Sequence, residues 1–429
     1  MKPNRRREEP RADAPGLPAR RAALTMLHGV LGLGRPLERQ YGVLGGLQPS
    51  DRGLAQAIAL AALRRVTALD AAIDSATPQP LPRDAKARMV LRLALAQAWA
   101  LGTPPHAIVA TALPLLAGGP RRLAHAVLSR VLSEHAEPPA ARLPEPWASR
   151  WADRYGEAAR DAIAAELERE PPLDLALCSP AETSVWAERL GGVSLAPGHV
   201  RLPADRAHGR GALEALPGFA VGAWWVQDLA ASLPARLLGP GPGRVLDLCA
   251  APGGKTLQLA AAGWEVTALD LSARRLELLA ANLARTGLSA TAVTADALAW
   301  EPPEPFDAVL IDAPCSATGI ARRHPDVLYL KATPDLAPLV ATQAALAARA
   351  AGWLRPGGTL VYAVCSLEPE EGEAQAGALS REPGLVPIPI APDELPASLT
   401  PTAEGWLRTR PDQLPGGLDG FFGARFRRA

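Results

Sequence analysis

The segment 245–256 constrains the fold of this chain more than any other stretch of the sequence. It reads VLDLCAAPGGKT: a short apolar run carrying an acid, Asp247, then a turn of small residues and the start of a helical pattern. This order is typical of the first strand–turn–helix unit of an α/β sheet, where a nucleotide-like cofactor binds on the turn. We therefore expect a parallel sheet whose ligand lies at the carboxyl ends of the strands.

Acids or cysteines follow the other apolar runs of the same region. Asp270 ends the second run, Asp312 and Cys315 follow a later one, and Cys365 follows the last. Strands are predicted at 244–248, 265–270, 290–294, 307–312 and 358–364, and helices at 256–262, 272–286, 336–354 and 369–379. Such alternation with short loops predicts an α/β fold with a doubly wound, mostly parallel sheet, and we expect a last, antiparallel strand near 420–426 at the sheet edge.

Breaks in the hydrophobic periodicity divide the chain into four segments. Residues 1–17 are charged and contain proline, which favours a disordered tail. In 18–136, leucine and alanine recur at three- and four-residue spacing between proline and glycine breakers, so we predict an all-α N-terminal domain of five to seven helices. Residues 137–225 are predicted to form a linker and a small α+β subdomain with a strand at 173–177, and residues 226–429 the α/β domain.

Composition limits the class of protein. The net charge of +1 over 429 residues excludes a globally basic nucleic-acid-binding protein, so any basic patch must be local. The four cysteines are scattered without a CxxC pair, which favours a reducing compartment over a zinc site or a disulfide framework. The apolar run 22–33 imitates a signal peptide, but acids precede it and His28 interrupts it. We expect a cytoplasmic monomer that has neither a metal nor a membrane segment.

The small-residue turn distinguishes between cofactors. GGKT at 253–256 resembles a phosphate-binding P-loop, but that motif requires glycine where Cys249 stands, and Asp247 would put negative charge near the phosphates. The G-x-G-x-x-G pattern of NAD sites is absent. Asp270 lies 23 residues after Asp247, as an acid that binds ribose hydroxyls would, and Asp296 follows the next strand, where it can accept from the adenine amino group. S-adenosylmethionine fits this pattern best, and a nucleoside triphosphate remains the alternative.

Two cysteines at separate strand ends suggest thiol chemistry. The loops of Cys315 and Cys365 should converge above the cofactor turn, because the carboxyl ends of parallel strands meet at one edge. A thiolate that adds to carbon 6 of cytosine makes carbon 5 nucleophilic toward a methyl group, and a second group must then help to remove the carbon-5 proton. Asp312 can bond to the N3 edge of the base. Isolated cysteines are usually inert packing residues, and we interpret Cys249 and Cys178 in this way. The residues alone leave the order of the two thiols open.

Basic and aromatic pairs are candidates for RNA contacts. Arg322 and Arg323 follow the Cys315 loop, and adjacent guanidinium groups suit a phosphate backbone. A solvated charge run is the alternative interpretation. Trp224 and Trp225 can stack on a base, although we favour packing in the core or between domains for this pair.

Taken together, the motifs resemble the Sun/RsmB family of ribosomal RNA cytosine-5 methyltransferases over nearly the whole chain. The similar segments are QD at 227–228, LDLCAAPGGKT at 246–256, DAPCSATG at 312–319, YAVCS at 362–366 and DGFF at 419–422. Residues 18–136 resemble the helical NusB-type RNA-binding domain of bacterial members, with Asp51, Arg52 and PPHA at 104–107 as its best marks.

The resemblance implies a fold, a cofactor and residue roles. It implies the S-adenosylmethionine-dependent methyltransferase fold for 226–429, with Cys365 as nucleophile, Cys315 as the residue that assists product release and Asp312 between cofactor and base. The predicted cofactor-binding residues are Cys249, Ala250, Ala251, Pro252, Gly253, Gly254, Lys255, Asp270, Arg275, Asp296 and Asp312, and the predicted RNA-binding residues are Lys255, Arg322 and Arg323. The expected reaction is methylation of cytosine C5 in RNA, with small-subunit (16S) ribosomal RNA as the substrate. Transfer RNA is the alternative substrate, and a non-catalytic RNA-binding assembly factor is the alternative function.

Overall fold

The computed structural model describes residues 15–134, 137–207, 211–330 and 335–429. The chain divides into two compact units, Met1–Pro144 with Tyr329–Lys331 and Glu145–Leu328 with Ala332–Ala429. Residues 1–14 of the predicted tail lie outside the described residues, whereas Leu17 already begins a helix. None of the helices in the described ranges has the length and hydrophobicity needed to cross a membrane.

The first unit is helical, as predicted. Its described part contains six α-helices: α1 (Leu17–Leu31), α2 (Pro49–Arg64), α3 (Val66–Ser75), α4 (Lys86–Leu101), α5 (Pro105–Ala112) and α6 (Gly118–Glu134). Helices α2 and α5 have proline in the first turn. Proline is tolerated there because backbone N–H groups in the first turn make no hydrogen bond within the helix. Gly102, in a left-handed conformation, ends α4. The core is built from apolar side chains at helical spacing, and its fully buried members include Met26, Leu27, Ile58, Leu63 and Leu69.

The second unit contains two sheets with helices around them. Its helices and strands in the described ranges are α7 (Trp147–Tyr155), α8 (Glu157–Glu168), β1 (Leu173–Leu177), α9 (Thr183–Leu190), β2 (His199–Leu202), β3 (Trp224–Val226), α10 (Leu229–Arg236), β4 (Arg244–Leu248), α11 (Gly254–Ala261), β5 (Glu265–Asp270), α12 (Ala273–Thr286), β6 (Thr291–Thr294), β7 (Phe306–Asp312), α13 (Ala337–Gly352), β8 (Leu354–Val364), α14 (Glu373–Leu379), β9 (Leu385–Pro387), β10 (Leu407–Arg408) and β11 (Phe422–Arg428). The smaller sheet has the antiparallel order β2-β1-β3.

The larger sheet has the order β10-β11-β8-β7-β4-β5-β6, with β9 paired to β11. Strands β4 to β8 run parallel to one another, and β4 and β7 are buried along most of their length. Burial on both faces explains their nearly continuous apolar sequences. The chain order reverses beside β4, whose neighbours β5 and β7 lie on opposite sides. Ligands bind at such a switch point, at the carboxyl ends of the strands.

The last strand is antiparallel, as predicted, but its predicted position at the sheet edge is wrong. Strand β11 pairs with β8 on one side, for example Phe422 with Val364, and with β10 and β9 on the other. These two short strands cover hydrogen-bonding groups that an edge strand would leave exposed. Phe422 and Phe426 on β11 are consequently fully buried.

Candidate active site

The turn after β4 has a backbone that small residues permit. Cys249 and Gly253 both have left-handed backbone conformations, with φ of 60° and 107°. The Ala250 amide donates to the Leu269 carbonyl of β5 at 3.1 Å. A Cβ atom on Gly253 would lie 2.2 Å from Cδ1 of Leu279, so a larger residue would push the turn away from α12. The turn is therefore held closely between β5 and α12.

Asp270 ends β5, and backbone amides orient its carboxylate. Oδ2 accepts from the Ala251 amide at 3.1 Å, and Oδ1 accepts from the Ser272 amide at 2.9 Å. Arg275 Nη1 lies 3.7 Å from Oδ2, and the Arg275 guanidinium also donates to the Ala251 carbonyl. Because a carboxylate oxygen has two lone pairs, each oxygen of Asp270 can still accept from a ligand hydroxyl.

Two exposed leucines accompany the acids at the ends of β5 and β6. Leu271, which is 73% exposed, follows Asp270, and Leu298, which is 41% exposed, lies just after Asp296. Asp296 is also exposed and accepts from the Leu298 amide at 2.9 Å. Apolar side chains beside hydrogen-bonding acids suit a flat ring with polar edges, such as adenine. Sequence analysis missed these leucines, although each stands next to or near a predicted acid.

Asp247 is a fully buried carboxylate at the end of β4. Its Oδ2 accepts from Thr256 Oγ1 at 2.6 Å, whereas its Oδ1 is buried without a hydrogen-bond partner. Burial raises the pKa of Asp247 to about 7, although the Thr256 hydrogen bond acts in the opposite direction. A buried oxygen without a partner is unfavourable, and such groups concentrate at binding sites.

Lys255 connects the cofactor turn with strand β7. Its Nζ donates to Asp312 Oδ2 at 2.7 Å and lies 5.0 Å from the centre of the Phe421 ring. Burial disfavours the ammonium, but Asp312, Asp247 and Cys365 together raise the pKa of Lys255. A charged lysine beside a thiol stabilises negative charge on that sulfur.

The two thiols predicted to act together lie side by side. Sγ of Cys315 is 3.4 Å from Sγ of Cys365, just past the ends of the adjacent strands β7 and β8. The Ala313 amide donates to the Ala363 carbonyl at 2.9 Å, and the Gly319 amide donates to the Cys365 carbonyl at 3.0 Å. The hydrogen bond with Cys365, together with burial, raises the pKa of Cys315 well above its ordinary value. Cys315 therefore keeps its proton at neutral pH.

The other two cysteines lack such an arrangement. Burial, with added effects of Asp312 and Asp270, raises the pKa of Cys249 to about 12. Burial also raises the pKa of Cys178, whose Sγ lies 3.1 Å from the Gly222 carbonyl oxygen. Both thiols stay protonated at neutral pH, in agreement with their interpretation as packing residues.

The structure corrects the prediction for Arg322. Its side chain is 1% exposed, donates to the Gly416 carbonyl at 2.7 Å, and lies 3.5 Å from Asp228 and 3.6 Å from Asp419. This guanidinium balances charges inside the protein and does not face a phosphate backbone. Arg323 is 23% exposed and donates to Asp228 Oδ2 at 2.8 Å, so its predicted RNA contact stays a prediction for a group that is already ion-paired.

The tryptophan pair belongs to the interior. Trp224 and Trp225 on β3 are buried, with the indole N–H groups donating to the Pro217 carbonyl at 2.9 Å and to Gln227 Oε1 at 2.7 Å. Stacking on an RNA base, the interpretation we did not favour, would need an exposed ring face.

Glu371 is a buried carboxylate beside the thiols that sequence analysis did not single out. It accepts hydrogen bonds from Ser316 and Ser366, the residues that follow the two cysteines. The available signal was an acidic run with four glutamates within 368–373, which looks like a solvated helix start.

The acids around the turn fit S-adenosylmethionine better than a nucleoside triphosphate. Asp247 and Asp312 each have a buried oxygen without a hydrogen-bond partner, and Asp270 completes a group of three carboxylates with Lys255 as the nearby cation. Such a group attracts the cationic sulfonium and ammonium of this cofactor and repels phosphates. Asp270 would hold the ribose hydroxyls, and Leu271 and Leu298 would contact adenine.

Comparisons with known proteins agree with this geometry. The 16S rRNA methyltransferase RsmB/F family matches residues 236–427, and the NusB family matches residues 17–132. The ribosomal RNA small subunit methyltransferase B of Xanthomonas campestris pv. campestris is 38% identical over 391 residues, 85% of this chain and 88% of that protein. Its namesake from Xylella fastidiosa strain Temecula1 is 37% identical over 394 residues, 87% of this chain and 89% of that protein. The crystal structure of PH0851 has the same fold, with a TM-score of 0.71 at 20% identity, covering 97% of this chain and 99% of that chain.

These matches confirm the predicted methyltransferase fold, the helical NusB-like segment, the S-adenosylmethionine cofactor and RNA methylation. The similarity to the Xanthomonas protein extends over both units and not over a shared cofactor domain alone. The chain belongs to the RsmB/F family of 16S rRNA methyltransferases.

Proposed function

We propose that the protein methylates carbon 5 of a cytosine in 16S ribosomal RNA and that Cys365 is the nucleophile. The observation that supports this reaction is the 3.4 Å separation of the Cys315 and Cys365 Sγ atoms. Methylation at carbon 5 needs one thiol that adds to the ring and a second group that completes the reaction. The choice of 16S rRNA follows the description of the matched family, and the Xanthomonas and Xylella relatives are named for small-subunit ribosomal RNA.

The first step is addition of the Cys365 thiolate to carbon 6. The sulfur electron pair forms the S–C6 bond, and the displaced π electrons spread over carbon 5 and N3. A proton must then bind to N3. Asp312 is the group we assign to the N3 edge, because it already accepts a hydrogen bond from the Lys255 ammonium, which holds a proton beside it. The Lys255 charge also stabilises the thiolate before it attacks and after it leaves.

S-adenosylmethionine supplies the electrophilic methyl group to carbon 5. The proton at carbon 5 must then be removed, and the electrons of that C–H bond re-form the C5–C6 double bond and expel the Cys365 thiolate. N3 returns its proton to the Asp312–Lys255 pair as the neutral methylated base leaves. We assign the removal of the carbon-5 proton to Cys315. Because its pKa is raised, Cys315 is protonated in the free protein and must release that proton to solvent before this step. The ionised sulfur is then a stronger base than an ordinary thiolate and accepts the carbon-5 proton.

The target cytosine must be unpaired or leave its stack to reach these sulfurs. Enzymes that act on a base inside a helix extrude it into a pocket and contact the flanking backbone. The NusB-like unit is the part of the chain that we expect to supply this RNA affinity, since it contains none of the four cysteines.

Variants of the two cysteines test the mechanism. Cys365→Ala should abolish methylation without trapping RNA, whereas Cys315→Ala should still add to the base and accumulate a covalent protein–RNA adduct on denaturing gels. Cys178→Ala is the matched control, because it removes a partly buried thiol outside the pair and should behave like the wild type. Bisulfite sequencing of 16S rRNA and transfer RNA, each treated with purified protein, identifies the modified atom and the substrate.

The reversed pattern of adducts would exchange the two roles. Full activity in both variants would rule out thiol catalysis. If only transfer RNA is modified, transfer RNA and not 16S rRNA is the substrate, and the proposed thiol mechanism is unaffected.

A further inference from the structure

Glu371 is a fully buried carboxylate in the loop between β8 and α14. Its Oε1 accepts from the Ser316 amide at 2.9 Å and from Gln343 Nε2 at 3.1 Å. Its Oε2 accepts from the hydroxyls of Ser316 and Ser366, both at 2.5 Å. The Tyr362 hydroxyl donates to the Glu371 carbonyl at 2.7 Å. Both the backbone and the side chain of this glutamate are therefore fixed.

The partners of Glu371 connect it to both thiol loops. Ser316 directly follows Cys315 after β7, and Ser366 directly follows Cys365 after β8. Gln343 on α13 also donates to the carbonyl of Pro314, the residue before Cys315, at 2.9 Å. One carboxylate thus joins the two loops, and Gln343 Nε2 donates both to this carboxylate and to the Cys315 loop.

Burying a carboxylate is unfavourable unless its lone pairs are used, and an apolar side chain would fill the same volume without that cost. The position of Glu371 therefore calls for a role that packing alone does not supply. We propose that Glu371 is a positioning residue that sets the separation of the Cys315 and Cys365 thiols by holding Ser316 and Ser366 on one carboxylate. This role rests on the proposed two-thiol mechanism.

The mechanism makes this separation important. Carbons 5 and 6 are neighbours in the ring, so the sulfur that adds and the sulfur that removes the proton must both stand close to one bond. Misplacement of a reacting group by about 1 Å can cost about 10²-fold in rate. The neighbouring strands β7 and β8 bring the loops together, but the backbone contacts beyond the strand ends are few, and the carboxylate adds the side-chain connection.

Two substitutions at this position separate geometry from charge. In Glu371→Gln the amide oxygen can accept from the Ser316 amide and Gln343, and the amide nitrogen can donate to the two serine hydroxyls, which are also acceptors. Glu371→Ala removes all four hydrogen bonds. If Glu371 acts as a positioning residue, Glu371→Gln should keep the disulfide and methyl-transfer rates that Glu371→Ala loses. Glu370→Ala is the matched control, because Glu370 stands in the same loop but pairs with Arg150.

The first experiment measures the thiol pair without RNA. Full-length protein is treated with diamide, which takes up the two thiol hydrogens as the Cys315–Cys365 disulfide forms, and the linked peptides are quantified by mass spectrometry over time. Glu371→Ala should slow this reaction by about tenfold or more, because intramolecular rates depend on alignment, whereas Glu371→Gln and Glu370→Ala should stay within about twofold of wild type. A wild-type rate in Glu371→Ala, or no disulfide in the wild-type protein, overturns the proposal.

The second experiment measures single-turnover methyl transfer to RNA. Glu371→Ala should lower the rate by about 10²-fold with unchanged affinity for S-adenosylmethionine, and Glu371→Gln should recover most of it. A loss of cofactor affinity equal to the loss of rate would indicate a general structural role and contradict the proposal. If Glu371→Ala does not fold, Ser316→Ala and Ser366→Ala cut the same connections one at a time and must slow disulfide formation. The disulfide rate needs no RNA, so it tests Glu371 even if carbon-5 methylation fails.

Discussion

Replacing Asp247 with asparagine should remove a pH dependence of stability. Burial raises the pKa of Asp247 to about 7 from an ordinary value of 3.8. Between these values the folded protein holds a proton that the unfolded chain has released, so the free energy of unfolding falls as the pH rises. Asparagine has nearly the same shape and does not titrate in this range.

The size of the effect follows from the shift. Three pKa units correspond to about 4 kcal/mol at most, since one unit is worth about 1.36 kcal/mol. The penalty is absent below the unfolded pKa and complete above the folded one. At pH 5 the unfolded chain has already lost most of its proton, so about 2 to 3 kcal/mol of the penalty falls between pH 5 and pH 8.

Urea unfolding of the wild type and Asp247→Asn at pH 5, 6.5 and 8, without cofactor, measures this difference. From pH 5 to pH 8 the unfolding free energy of the wild type should fall by about 2 to 3 kcal/mol relative to that of Asp247→Asn. Asp419, whose pKa burial also raises to about 7, is present in both proteins and cancels. Any pH-independent cost of the buried amide cancels as well. Parallel pH profiles would refute the reasoning, because they would mean that Asp247 is ionised in the folded protein throughout.

Three further predictions concern the cofactor, the interior and the RNA. Asp270→Ala should weaken S-adenosylmethionine binding in calorimetry by about 1–3 kcal/mol, while ATP binds poorly to the wild type and the variant; tight ATP binding would contradict the cofactor assignment. Arg322→Ala should lower the free energy of unfolding by about 3–5 kcal/mol, because it leaves buried Asp228 and Asp419 with fewer partners, and an intact stability would contradict this. Deleting residues 1–136 should weaken RNA binding in a filter assay and leave cofactor binding intact; unchanged RNA affinity would give this unit another role.

The strands of the large sheet were predictable because burial on both faces leaves a continuous apolar sequence. The ranges predicted at 244–248 and 265–270 coincide with β4 and β5. Strand β8 begins at Leu354, before the predicted start at 358, and so includes Pro356 and the two glycines after it. The register of β8 against β7 shifts between Phe306 and Ala308.

Contacts between distant segments could not be predicted in the same way. The pair Arg322 and Arg323 looks identical whether it faces solvent, phosphate or buried acids, and its partners Asp228 and Asp419 belong to segments far away in the sequence. Glu370 and Glu371 are adjacent in one acidic run, but Glu371 is buried and binds Ser316, whereas Glu370 pairs with Arg150. The sequence does not indicate which of the two glutamates meets Ser316, which belongs to the loop after another strand. By contrast, the acids and cysteines at strand ends were predictable, because topology alone brings them to one edge.

The carboxyl edge of the large sheet is acidic, although the proposed substrate, RNA, is a polyanion. Asp312 and Glu371 lie near the thiols with Lys255 as the neighbouring cation, and the pKa of Asp247 near 7 leaves part of its charge in place at neutral pH. Phosphates are repelled from such a centre, whereas a neutral base is not. An extruded base can therefore enter while its backbone stays outside. The same acids favour the cationic methyl donor over its uncharged thioether product, so electrostatics alone assists release once the methyl group has been transferred.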